Sequence, residues 1–388
     1  MELKPILVTC LVFFLLSSCK EGSKERQLSS VFSDAEQADS TAQDYDLYEI
    51  EESGELICIT ISGPDTYFEF KGKGFGLQND LAELYSRHIG VRLRMEVAHD
   101  TAEVISRLRK HEADIAAIQL NPAPGTLRCI NGWLVNKEST QLHQSINEWY
   151  KPEFVTLVQK RTSSPAPVRR TPRPVMLDAS AGRICQYDVL LQRHASSIGW
   201  DWRLLAAQCY QESAFDPHAV SWAGAQGLMQ IMPATAVHLG VKGDIFDPET
   251  NIEASVRYLQ QLNLTFNDIP GQVARIPYIL AAYNGGVNHV RDAMALTRKH
   301  GLDDHQWRNV EDFILKLSQP LYYRDPVVTS GYLRGAETHE YVRSIMERWA
   351  QYRGQARNYS KASTPAPSKR SKNPTQIRRP DFYPSDPL

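Results

Sequence analysis

Charge of one sign is what this sequence most plainly lacks: 43 Lys and Arg stand against 45 Asp and Glu, a net charge of −2 over 388 residues. A dedicated nucleic-acid binder carries a strongly basic domain, so no nucleic-acid partner is expected. Cysteine is scarce, with 6 in the chain and none in CxxC spacing, and the 11 histidines show no HExxH or other ligand spacing. No metal site is predicted. The one glycine cluster, residues 72–76, lacks GxGxxG and a following Lys-Ser/Thr, so it reads as a turn feeding a helix and no cofactor is expected. Long apolar runs are missing as well, which argues against a membrane-spanning chain. What remains is ordinary globular material, with 42% hydrophobic and 23% charged residues.

The unevenness lies at the ends and in the middle. Residues 6–16 form an apolar run about half the ~20 residues of a transmembrane helix, so residues 1–18 read as a signal peptide. Leu16-Ser17-Ser18-Cys19 is similar to a bacterial lipobox, which implies lipidation of Cys19 and a membrane tether. Lys20 follows where an Asp would favour inner-membrane retention, so the expected location is the outer membrane, facing the periplasm. Residues 19–52 are polar and without apolar period, the composition of a disordered tether. Residues 161–177 are a Pro/Arg linker, and residues 354–388 a basic, Pro-rich, disordered tail. Two globular segments are left, 53–160 and 178–353. Cys58 and Cys129 share the first, Cys185 and Cys209 the second, either as disulfide pairs or as free buried thiols.

In the first segment, strand signals at 56–61, 91–97 and 114–118 alternate with helix signals at 77–89 and from an Asp100 N-cap to Lys110. That order predicts a small parallel α/β sheet. Gly63-Pro64-Asp65-Thr66-Tyr67, Gly74-Phe75-Gly76-Leu77 with Asp80-Leu81, and Ala113-Asp114-Ile115-Ala116-Ala117 resemble the first lobe of a family-3 periplasmic solute-binding domain. Trp133-Leu134-Val135 and Asn147-Glu148-Trp149 are similar to that family's closing strand and helix. The family holds ligand between two lobes, and only one lobe's length of chain is present. The resemblance therefore implies a structural or regulatory lobe, with a muropeptide as the ligand left open to it.

The second segment reads as all-α, with helices expected at 187–198, from an Asp201 cap to Glu212, from Pro233, at 252–264, 273–283, 287–299, 310–317 and 338–352. Val189, Leu190 and Ala195 supply the apolar positions of the first. A Gly/Ser-rich loop, 214–230, sits among them. Gln211-Glu212-Ser213, Ser221-Trp222-Ala223-Gly224-Ala225-Gln226-Gly227-Leu228-Met229-Gln230-Ile231-Met232-Pro233, Phe246-Asp247-Pro248-Glu249-Thr250-Asn251, Ala282-Tyr283-Asn284-Gly285-Gly286 and Glu337-Thr338 with Tyr341-Val342 follow one another in order. Together they resemble the soluble-lytic-transglycosylase family, goose-lysozyme-like enzymes that cut peptidoglycan. The expected architecture is thus α+β multidomain: a small α/β periplasmic-binding-protein-like lobe followed by an all-α lysozyme-like transglycosylase domain.

Cleaving a β-1,4 glycosidic bond needs an acid for the leaving oxygen. Glu212 ends an apolar helix, where the dipole's negative end disfavours a charged carboxylate, and Phe215, Met229 and Met232 are expected to desolvate it. No second carboxylate has an obvious partner role; Asp216-Pro217 reads as a turn. A lone carboxyl fits the route that the resemblance implies. Glu212 gives a proton, then takes one from the muramoyl C6 hydroxyl, and a 1,6-anhydro ring closes without water. The resemblance places Ser221, Gln230, Met232, Tyr283, Asn284 and Tyr341 on the substrate, glycan strands of peptidoglycan. Two alternatives stay open: a hydrolytic muramidase of the same fold, and a non-catalytic peptidoglycan-binding anchor.

Overall fold

The structure, a computed structural model, describes residues 45–163, 177–178 and 182–354. The signal peptide, Cys19, most of the tether, most of the linker and all but the first residue of the tail lie outside the described residues.

Folding begins earlier than composition indicates. Asp46 caps helix α1 (Leu47–Ser53) in a capping box with Glu49, and Gly54 closes it in the left-handed conformation. The same carboxylate accepts hydrogen bonds from the backbone N–H groups of Gln141 and Leu142. One acidic side chain thus serves two helix N-termini, and Ile50 enters the core. Residues 45–52 are folded, not tether.

The first segment is built on β1 (Glu55–Ile61), a two-stranded ribbon of β2 (Phe68–Phe70) and β3 (Lys73–Phe75), α2 (Leu77–His88), β4 (Arg92–Ala98), α3 (Thr101–Arg109), β5 (Ile115–Ala116), β6 (Thr126–Arg128), β7 (Leu134–Asn136), α4 (Thr140–Trp149) and α5 (Glu153–Ser163). The sheet order is β4-β1-β5-β7-β6. β4, β1 and β5 are parallel, but β7 runs antiparallel to both β5 and β6, so the sheet is mixed, not parallel. The reason is local: β5 reaches β7 through β6 and short turns, with no crossover helix to return the chain in the same direction. Asp100 caps α3 as expected, accepting from the Glu103 N–H. The glycine cluster holds the ribbon, a feature the sequence reading missed. Lys71 and Gly72 form its turn, both with positive φ (51° and 72°), the backbone of a type I′ hairpin. α5 also carries helix three residues into the expected linker.

The second segment is helical: α6 (Asp188–Ser196), α7 (Trp202–Ser213), α8 (Pro233–His238), α9 (Pro248–Thr265), α10 (Gln272–Gly285), α11 (Val287–Lys299), α12 (Trp307–Lys316), α13 (Pro320–Tyr323) and α14 (Gly335–Tyr352). Asp201 and Asp247 cap α7 and α9 through backbone N–H groups. α10 is buried from Ile276 to Gly285 and forms the centre of the bundle, against α9, α11 and α14. In α6 the buried positions are Leu191 and Ala195, whereas Val189 is 69% exposed, so its apolar face is turned from the one expected. Cys58, Cys129, Cys185 and Cys209 are all free and buried. Burial alone pushes the Cys129 thiol up to about 12, which leaves it an inert core group. Among the described residues no helix is long and apolar enough to cross a membrane.

The two halves meet through the ribbon. Phe68, Phe70 and Phe75 bury themselves against Trp222, Ala223 and Tyr332 of the helical half as a separate small core. Phe70 stacks on Trp222 at 5.8 Å, and the Arg334 guanidinium lies 4.8 Å from the Phe68 ring and 5.3 Å from Trp222. A second contact joins Ser62, after β1, to the loop before α14: its hydroxyl accepts from the Tyr332 N–H at 2.7 Å. A Cβ on Gly331, at φ +74°, would lie 2.2 Å from that hydroxyl, so only glycine admits this approach.

Candidate active site

Glu212 occupies the last turn of α7, whose apolar face, Leu204 to Cys209, is packed in the core. Beyond it Ala214 and Phe215 both adopt positive φ (52° and 64°), and Gln230 at the far end of the loop does the same (52°). Three left-handed non-glycine residues are sustained only where surroundings over-determine the backbone. Asn251 on α9, fully buried, does much of this: it accepts from the Met229 N–H at 2.7 Å and donates to the carbonyls of Gln226 and Ile245. That explains why the Phe246–Asn251 stretch accompanies the loop in sequence.

The Glu212 carboxylate is held from two sides. The Tyr341 hydroxyl donates to Oε1 at 2.6 Å and accepts from Gln208 Nε2 at 3.2 Å. Lys71 Nζ, from the ribbon turn, lies 3.1 Å from Oε2, and both side chains of the pair are nearly buried. Burial and the neighbouring Glu212 charge push the Tyr341 and Tyr283 phenols well above their ordinary range, so both remain hydroxyl donors. Phe215 packs on Tyr210, and Met232 lines a neighbouring chamber. A cation and a phenol stand beside the carboxylate.

A cavity of about 280 Å³ opens on this group, lined by Glu212, Ser221, Gln230, Asn284 and Tyr341 together with Phe70, Lys71, Trp222, Glu337 and Glu340. Five of the seven expected residues are thus brought together. The other two, Met232 and Tyr283, line an adjoining chamber of about 260 Å³, with Gln230 and Lys71 shared between them.

Several side chains also do structural work. Ser221 Oγ accepts from the Ala225 N–H, and Gln230 Nε2 donates to the carbonyls of Ala219 and Gly227. Tyr283 donates to the Met229 carbonyl at 2.8 Å, and Asn284 Oδ1 accepts from Thr338 Oγ1 at 2.8 Å. They brace the loop that shapes the cavity.

Glu212 is not the lone carboxyl of the cavity. Glu337 and Glu340 lie on α14 in the same lining. Burial raises the Glu337 carboxyl above its ordinary value against the opposing charges of Arg334 and Lys71, with Glu212 adding to the rise. Glu340 is instead held low by Arg343. The sequence reading missed Glu337, Glu340, Trp222 and Lys71 as lining residues. For Lys71 a usable signal existed: a Lys-Gly pair between Phe68, Phe70 and Phe75 has hairpin spacing.

Residues 190–305 match the family described as Transglycosylase SLT domain. A membrane-bound lytic murein transglycosylase F from Desulfosudis oleivorans is 40% identical over 164 residues, 42% of this chain and 36% of that protein. The chain thus matches about a third of that relative's length. Among solved structures, the 70 kDa soluble lytic transglycosylase from Escherichia coli matches 45% of this chain and 25% of its own at 25% identity, with a TM-score of 0.30. The arginine-bound form of domain 1 from TmArgBP matches 28% of this chain and 97% of its own at 20% identity, with a TM-score of 0.24. Over residues 190–305 the helical half of this chain is similar to the transglycosylase SLT domain.

Proposed function

We propose that the chain is a lytic transglycosylase of peptidoglycan, a lyase that cuts the β-1,4 bond between N-acetylmuramoyl and N-acetylglucosaminyl residues and leaves 1,6-anhydro ends, in turnover or remodelling of the wall. The observation that carries this reading is Glu212 at the end of α7, fixed through Oε1 by Tyr341, on a cavity shared with Ser221, Gln230 and Asn284. Tyr341 holds one oxygen, which leaves Oε2 to face the scissile oxygen. Glu212 delivers its proton there as the bond breaks, and the positive charge that develops on the sugar is stabilised by the carboxylate and the phenol dipoles around it. Oε2 then takes the C6 hydroxyl proton as the C6 oxygen closes on C1. Lys71 must withdraw from Oε2 before a sugar enters, because its ammonium fills that position.

Hydrolysis is the second reading, and Glu337 favours it: a second carboxyl on the cavity wall is what a water-activating base requires. Mass spectrometry of products from purified sacculi separates the two. Anhydro-muramoyl ends support the lyase; free reducing muramic ends overturn it.

A lipid on Cys19 would place the enzyme on the envelope, at the outer membrane and facing the periplasm, within reach of its glycan. The sheet lobe is proposed as a regulatory part that takes a muropeptide. Titration of the full chain with a purified muropeptide tests this, and no heat and no change in rate would overturn it.

A further inference from the structure

One residue of α7 breaks the pattern of its neighbours. From Leu204 to Cys209 every side chain is fully buried, and all are apolar or small except Gln208. Its Nε2 donates to the Tyr341 hydroxyl at 3.2 Å, while its Oε1 has no hydrogen-bond partner in the protein. A buried carbonyl left unpaired is costly, and a methionine or leucine would fill the same space without that cost. Packing alone does not account for a glutamine at this place.

The arrangement around the acid does. Gln208 and Glu212 stand four residues apart on one face of α7, and Tyr341 of α14 bonds to both. A hydroxyl has a single proton to give. With the amide N–H seated on the phenol oxygen, that proton is directed to Glu212 Oε1 at 2.6 Å. Without the amide the phenol is free to turn and accept a proton from Oε1 instead. The acid's own proton would then rest on Oε1, shared with the phenol, and not on Oε2, which faces the scissile oxygen in the proposed reaction.

We propose that Gln208 is a positioning residue of the acid: its amide orients the Tyr341 hydroxyl toward Glu212 Oε1 and so confines the transferable proton to Oε2. Gln208 is fully buried and lines neither chamber of the site, so it touches no sugar. The inference rests on the proposed function, which gives Glu212 its role as acid.

The test replaces Gln208 by Met in the full chain, which fills the site and removes the donor. On soluble glycan strands kcat is expected to fall about tenfold, with KM within about twofold and the product ends unchanged. The melting temperature should be at or above that of the parent, because the unpaired carbonyl is gone. In a Tyr341→Phe background there is no hydroxyl to orient, so adding Gln208→Met should lower kcat by less than about twofold. The intensity ratio of the tyrosine Raman doublet reports whether a phenol donates, accepts or does both. Isolated for Tyr341 by difference from Tyr341→Phe, it should change with Gln208→Met. Parental kcat in Gln208→Met overturns the proposal, as does an unchanged doublet or a loss repeated in full in the Tyr341→Phe background. If Gln208→Met melts below the parent, Gln208→Leu takes its place with the same expected and overturning readings. If the parent chain cleaves nothing yet the doublet changes with Gln208→Met, the function reading fails and the orienting hydrogen bond stands.

Discussion

Lys71 Nζ sits 3.1 Å from Glu212 Oε2, although the two residues are 141 positions apart and belong to different halves of the chain. The pair is nearly buried, and the lysine reaches it from a strained left-handed turn position. The carboxylate receives a donor on each oxygen, Tyr341 on one side and Lys71 on the other.

A substrate must break the lysine contact first. Separating a hydrogen bond to a charged group costs about 1.5–3 kcal/mol, roughly ten- to a hundredfold in the fraction of open sites. Lys71→Ala is therefore expected to raise kcat/KM on glycan strands by up to that factor, with the product ends unchanged. The aromatic core of the ribbon does not involve the lysine, so the ribbon should stay docked. A fall in rate would instead make Lys71 a helper of the chemistry.

Replacing Glu212 by Gln should remove about a thousandfold or more of the rate, the scale of a lost general acid. Tyr341→Phe should cost about ten- to a hundredfold, because it removes the phenol donor to Oε1 and the acceptor of the Gln208 amide. Glu337→Gln divides the mechanisms. A lyase keeps its rate within a few fold, whereas a hydrolase that uses Glu337 as base falls with Glu212→Gln. Rates and end-group analysis on one sacculus preparation provide the check.

Most of the helical half was legible because its signals are local. Asp201 and Asp247 cap the helices they precede, and Pro233 opens α8. The cavity residues Glu212, Ser221, Gln230, Asn284 and Tyr341 come from four regions, α7, the loop after it, α10 and α14, whose motifs the family resemblance links. What stayed hidden depends on contacts between distant segments. Nothing near Lys71 in sequence says that its ammonium meets Glu212, and Glu337 and Glu340 become cavity residues only when α14 packs on α7. Asp46 lies in a stretch of polar, tether-like composition; its partners, Gln141 and Leu142, are far along the chain.

The sheet half should lose stability as pH rises through a mildly acidic window. Burial raises the Asp114 carboxyl to about 6, against the Ile57 N–H, Arg94 and His111, which lower it. An acid whose folded value exceeds its unfolded value, roughly 4, favours the folded state at low pH. That advantage is lost between about 4 and 6, on the order of 3 kcal/mol. Asp114→Asn, which still offers an acceptor to the Ile57 N–H, should flatten the dependence. Urea unfolding followed by fluorescence of Trp133 and Trp149 between pH 4 and 8 measures it. A slope equal in both proteins would exclude Asp114 as its source.

Docking of the two halves turns on a single glycine. A Cβ at Gly331 would lie 2.2 Å from the Ser62 hydroxyl and 2.3 Å from its Cβ, so Gly331→Ala must push the Ser62 segment away from the loop before α14. That breaks the bond from the Tyr332 N–H to Ser62 and disturbs Tyr332, which packs at 5.5 Å on Phe68 of the ribbon. Loosening the ribbon loosens Lys71, so Gly331→Ala should raise kcat/KM in the direction of Lys71→Ala while lowering the melting temperature. Adding Ser62→Gly removes both clashing atoms. The double variant should return only part of the way toward the parent rate, because the acceptor for the Tyr332 N–H is gone with the clash, and should stay at least about 1 kcal/mol less stable, because alanine at φ +74° is strained even where there is room. A Gly331→Ala protein with parental rate and lowered melting temperature would mean that the ribbon keeps its place without this contact, held by Phe68, Phe70 and Phe75 alone.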